Sequence, residues 1–130
     1  MAQRTPINPH PWTTALGFDQ AQLVEAPQRV LVCSGQDAVD SDGTPRHPGD
    51  MAAQLELALD NLHAIIVHAG MALDDVVRLN VYTTDVDELI NQHFARINAR
   101  FGESRYATSI LGVSQLPAQL LVMLEATAVD

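Results

Sequence analysis

Two periods alternate along this chain, and the switches between them mark its elements. Met51, Leu55, Ala58, Leu62, Ile65, Ile66 and Ala69 fall three or four residues apart, the spacing that gathers side chains on one face of a helix. Asp50 stands where an N-cap belongs, and Gly70 supplies the stop. Leu89, Ile90, His93, Phe94, Ile97 and Phe101 predict a second helix, opened by the capping-box sequence Asp85-Val-Asp-Glu88 and closed by Gly102. Residues 75–82 have a period of two instead. Val77, Leu79 and Val81 face one way and Arg78, Asn80 and Tyr82 the other, which is a strand. Residues 20–25 and 28–34 read as strands on either side of a turn at Pro27, and residues 106–117 and 120–128 supply two more. Residues 1–14, punctuated by Pro6, Pro9 and Pro11, suit an extended lead-in or a short edge strand. Residues 37–49 are rich in turn formers and form a loop. The predicted order is β-β-β-α-β-α-β-β, one α+β domain over residues 1–130 with no internal linker or repeat.

Two helices cover one face of such a sheet. The run Arg29-Val-Leu-Val-Cys-Ser34 is nearly continuous in apolar residues, which predicts cover on both of its faces. In the last strand Leu120, Val122, Leu124 and Ala126 alternate with Leu121 and Met123, so both faces are apolar there too. Left bare, the second face would be a large apolar patch, and burial against another subunit removes it. The pattern therefore predicts an oligomer.

Charge narrows the partners. The formal net charge is −9, and the seven Lys and Arg residues are scattered. Neutralising phosphates needs clustered cations, so nucleic acid and anionic membranes are poor partners. No apolar run reaches membrane-spanning length, and Met1-Ala-Gln-Arg-Thr-Pro lacks the apolar core of a signal peptide. Cys33, the one cysteine, sits in an apolar run and reads as a buried, inert thiol, in keeping with a reducing cytosol and a cytoplasmic location. His63 and His68 are five apart, poor geometry for joint metal ligation, and no metal site is expected. No phosphate-binding glycine loop or Gly-x-Ser-x-Gly elbow occurs.

Several blocks carry a family likeness: Ser34-Gly35-Gln36 after an apolar strand; Asp50 with Gln54, Asn61-Leu62 and Ala69-Gly70 in the first helix; Asp75-Val-Val77 before Thr84-Asp85; Asn91 with Phe94 and Phe101. Tyr106-Ala-Thr-Ser, Leu116-Pro117 and Glu125-Ala126 close the series. In this order and spacing the chain resembles the Rid family, the YjgF-like reactive intermediate deaminases. The resemblance implies a chorismate-mutase-like fold and a homotrimer whose sheets line a central barrel, with ligand clefts between subunits. It also implies hydrolysis of reactive imines and enamines to carbonyl compounds and ammonia, with no metal or organic cofactor. In such proteins an arginine grips the substrate carboxylate and a glutamate helps place the attacking water.

This chain departs from that pattern. Thr108 stands at the arginine position, Met123 at the glutamate position, and Phe18 where the family often has tyrosine. Ser34 and Asn91 match. The expected site therefore takes a small molecule through Phe18, Ser34, Asn91, Thr108 and Met123. Glu125, on the same face as Met123, and Asp19, near the expected cleft mouth, are the candidate catalytic groups. Arg105 and Arg46 are the two candidates to stand in for the missing arginine. Two functions follow: an enzyme acting on an imine or enamine without the usual arginine, or a non-catalytic small-molecule-binding or protein-interaction trimer.

Overall fold

The computed structural model describes residues 2–130, so of the extended lead-in only Met1 lies outside it. Its strands are β1 (Gln3–Ile7), β2 (Ala21–Glu25), β3 (Val30–Val32), β4 (Val76–Thr83), β5 (Ala107–Gly112) and β6 (Val122–Val129), and its long helix is α1 (Met51–His68). The second helical segment has three consecutive pieces: α2 (Val86–Glu88), a π turn (Leu89–His93) and α3 (Phe94–Phe101). The order is the one the periodicity predicts, and the class is α+β.

The main sheet runs β3-β6-β4-β5. β4 and β5 are parallel, while β6 is antiparallel to both β3 and β4. A parallel pair needs a crossover, and residues 86–101 provide it. β2 and β3 flank Pro27 as expected but do not pair with each other. β2 pairs with β1 in a separate two-stranded sheet, with Arg4 opposite Val24. Arg4 donates within that sheet to Gln22 Oε1 at 2.7 Å and fixes it to the body by donating to Val76 O at 3.0 Å and Arg105 O at 2.7 Å.

Both helical segments lie on one face of the main sheet. Leu55, Leu59, Leu62 and Ile66 of α1 pack with Leu79, Val81 and Leu124 in one core. Asp50 caps α1 by accepting from Ala53 N at 3.1 Å. Buried Gln54 joins the preceding loop to β6, donating to His47 O at 2.9 Å and accepting from Leu121 N at 2.7 Å. A bulge between Val76 and Arg78 turns Val76 inward, so Val76, Leu79, Val81 and Thr83 form the buried row and Val77 is half-buried. The capping box is half made. Asp85 accepts from Glu88 N at 3.0 Å, but Glu88 turns to His93 Nε2 (3.0 Å), and Asp85 N donates to Thr83 Oγ1 at 3.2 Å. Cys33 is buried, and burial pushes its thiol pKa up.

The other face has no cover in the single chain. Val30 is 56% and Val32 76% exposed; only Leu31 of β3 packs towards the core. The expectation that both faces of β3 are covered thus fails within one chain, because both helical segments lie on the opposite side. Among the described residues, no helix is long and apolar enough to cross a membrane.

Candidate functional site

At the β5 edge the sheet and the second helical segment leave an apolar cup. Directly paired strand residues share a face. Thr108 pairs with buried Leu79, and Ile110 with buried Val81, so both turn to the helix side. Phe18 reaches the same edge because the backbone of Asp19 bridges to Ala107 and donates to Tyr106 O at 3.0 Å. Gly17 just before it has φ +100°, and a Cβ there would lie 2.6 Å from Asn98 Oδ1 on α3, so only glycine fits without displacement. The cup, of about 290 Å³, is lined by Leu16, Phe18, Ile90, Phe94 and Ile110. Phe18 meets Phe94 edge-on, centroids 6.5 Å apart. Thr108 Oγ1 donates to Leu79 O at 2.5 Å. Its proton is spent on the sheet, and the hydroxyl offers only an acceptor. Asn91, beside Ile90 in the π turn, is exposed.

The second group of predicted residues is elsewhere. Met123 pairs with Tyr82 on the open face, and its sulfur packs on Gly35; a Cβ there would be 2.4 Å from Sδ. Ser34 is exposed next to them. β4 lies between β6 and β5, two strand spacings of roughly 5 Å each. Thr108 and Met123 therefore sit on opposite faces as well as on different strands. One chain places Phe18 and Thr108 at the β5 edge, and separately Ser34 and Met123 towards the open face, but does not join the two pairs.

The candidate acids occupy contrasting places. Glu125 is half-buried on the open face, where Oε1 accepts from Tyr82 OH at 2.9 Å and Asn80 Nδ2 at 3.2 Å. The hydrogen bond to this carboxylate raises the Tyr82 pKa, with desolvation adding to it. Both contacts fall on Oε1, so Oε2 is open. Asp19 is only 3% exposed, with Oδ1 accepting from Asn8 at 2.9 Å and Oδ2 from Gln22 at 3.0 Å. Its side chain ties the β1–β2 sheet to the β5 edge, and what it presents to the cup is its neighbour Phe18. Arg105 donates to Thr14 O at 3.1 Å, and Arg46 pairs with Asp40 at 3.3 Å. Neither lines the cup. Among the described residues no cluster of His, Cys, Asp and Glu has the makings of a metal site.

Leu16, Ile90, Phe94 and Ile110 are cup residues that sequence reasoning did not assign. Ile90 and Phe94 were expected in the buried stripe of the second helix, yet Ile90 is 48% exposed and Phe94 half-buried. The clue was the width of that stripe: five apolar positions plus His93 are more than one buried helix face needs, and the surplus edge lines the cup.

The sequence family described as endoribonuclease L-PSP matches residues 15–130. The chain belongs to the Rid, or YjgF-like, family. A RutC family protein of Pyrococcus abyssi is 34% identical over 112 residues, covering 83% of this chain and 84% of that protein. The 2-iminobutanoate/2-iminopropanoate deaminase of Escherichia coli is 32% identical over 107 residues, covering 77% and 79%. Among solved structures, the Rid protein YyfB of Yersinia pestis superposes with a TM-score of 0.87 at 32% identity, over 98% of both chains. The chorismate-mutase-like fold implied by the sequence blocks is thus the fold this Rid-family chain has.

Proposed function

We propose that this Rid-family chain works as a homotrimer in which the cup of one subunit is completed by the Ser34–Met123 group of the next. The resulting cleft binds a small imine or enamine and hydrolyses it. The observation that carries the reading is the division of the predicted site into two halves on opposite faces of one sheet. A second copy offers the missing half and also covers Val30 and Val32. The deaminase name of the Escherichia coli relative supports the reaction class. In this reading Phe18 and Met123 pack on the ligand, Thr108 and Ser34 supply polar contacts, and Asn91 stands at the rim. Glu125, held by Tyr82 and Asn80, accepts a proton from water through its open Oε2. Asp19 contributes by holding Phe18 in place. The reaction uses water alone, without metal or cofactor, in the cytoplasm. A charge of −9 argues against RNA as substrate, despite the word endoribonuclease in the family description.

The second reading is a trimer that binds small molecules or proteins without catalysis. The spent Thr108 proton and the enclosed Asp19 carboxylate favour it, since both remove groups that would act on a ligand. The two are separated by generating imines in situ with amino-acid and amine oxidases and trapping the survivors with semicarbazide. Faster loss of imine with the protein than in buffer, abolished by Glu125→Gln, supports the enzyme. No acceleration of any imine, with a stable trimer by sedimentation, supports the binder.

A further inference from the structure

The cup also says which imine. We infer that this site takes a substrate with an aromatic or branched hydrocarbon group and no carboxylate, an uncharged aryl- or alkyl-imine rather than a 2-imino acid. The inference rests on the imine reading above and goes further by naming the substrate class. A volume of about 290 Å³ holds one ring with a short tail. All five lining side chains are apolar, and the Phe18–Phe94 pair presents an edge and a face for a third ring. No charged side chain lines the cup, Arg105 and Arg46 are engaged elsewhere, and the chain carries −9. A carboxylate placed within the cup would lose its hydration with no cation in the lining to receive it. The polar group nearest Ile110 on the same strand face is Thr108, whose proton is committed to Leu79 O, leaving a lone pair. A lone pair suits an N–H donor, which an imine has and a carboxylate lacks.

The hydrolysis balances with water alone. The water oxygen bonds to the imine carbon, and one proton passes to nitrogen. In the carbinolamine that forms, the C–N bond breaks, ammonia leaves with a second proton, and an aldehyde or ketone remains. The class of reaction that must supply such a substrate is oxidation of a primary amine, not of an amino acid.

Phenylacetamide and phenylacetate share a ring and differ in charge and donor, so titration calorimetry at neutral pH reads the ligand class directly. The amide is expected to bind at least tenfold more tightly, Phe94→Ala to weaken it at least fivefold, and Thr108→Arg to reverse the order of the two. Equal or tighter binding of the acetate by the native protein, or no binding of either, overturns the inference. The kinetic arm compares phenylacetaldimine, formed by an amine oxidase, with the imino acid formed from phenylalanine by an amino-acid oxidase. Preference for the aldimine supports the inference, and preference for the imino acid overturns it while leaving the hydrolytic reading intact. Amide-selective binding with neither imine hydrolysed keeps the ligand class and removes the hydrolytic reading.

Discussion

On the helix-covered face of the sheet Leu79, Val81, Val122 and Leu124 are fully buried, whereas on the other face of the same strands Arg78, Asn80, Tyr82 and Glu125 alternate with them under no cover. The covered face has one task, to exclude water, and nearly every position on it is apolar. The open face mixes a polar row in its middle with Val30, Val32 and Leu111 at its sides. A surface meant for solvent would not carry those side residues, and one meant only for packing would not carry Arg78 and Glu125. The contrast teaches that folding is decided on one face; the other is the face that the proposed trimer would use for assembly and ligands. The two halves of the proposed cleft lie at the margins of these faces.

The largest expected effect is on the covered face. Leu124→Ala leaves a cavity among fully buried neighbours and should cost about 3 kcal/mol in urea unfolding at fixed protein concentration. A loss near zero would mean that this face is not the core. Next is a pH effect in the same layer. Tyr106 packs on Phe101, its hydroxyl has no partner, and burial raises its pKa from 10.0 to about 12. A raised folded-state pKa means full stability below pH 10, lost as pH climbs towards 12, by about 2–3 kcal/mol. Tyr106→Phe should remove that loss at pH 11 and leave stability at pH 8 unchanged or slightly higher. Unchanged sensitivity in the variant would place the alkaline weak point elsewhere.

On the open face the effects should fall on association. Val32→Lys should weaken assembly at least tenfold, about 1.4 kcal/mol, seen by sedimentation on dilution, with the secondary structure intact. Undiminished assembly would mean that the subunit contact lies elsewhere. The smallest effect is expected at the second half-site. Gly35→Ala pushes on the Met123 sulfur, which is flexible and swings aside at a cost of roughly 1 kcal/mol. The Met123 methyl resonance should move while those of the core stay put.

Element order, the Asp50 cap and the apolar character of the second face were legible because each rests on a local pattern or on counting faces. Partners were not. Pro27 marks a break between β2 and β3, but no local signal says that β2 turns back to β1 while β3 joins β6. The β4 bulge was equally silent, since Val76 and Val77 are the same residue type and either could face inward. At the site, Thr108 and Phe18 were placed together by family likeness; Phe18 lines the cup, and Thr108 lies on the same strand face as the cup residue Ile110. Asp19 looked available because it lies in a turn near the cleft; its enclosure depends on Asn8 and Gln22, which reach it only after the β1–β2 sheet has formed. The cup's hydrocarbon lining stayed hidden because Leu16, Ile110 and the Ile90–Phe94 pair come from three separate segments, and in sequence Ile90 and Phe94 read as ordinary helix core.

The position of β6 carries a consequence for synthesis. It lies between β3 and β4, pairing Val30 with Val129 and Val81 with Leu124, although both neighbours are translated well before it. A nascent chain that has already made α1, β4 and β5 has no central strand to organise them. The apolar edges of β3 and β4 stay bare until β6 leaves the ribosome, and loop-closure entropy delays their pairing further. The polypeptide therefore cannot fold piecemeal from its beginning. It must be kept from its neighbours on the polysome until the last strand threads the middle of the sheet.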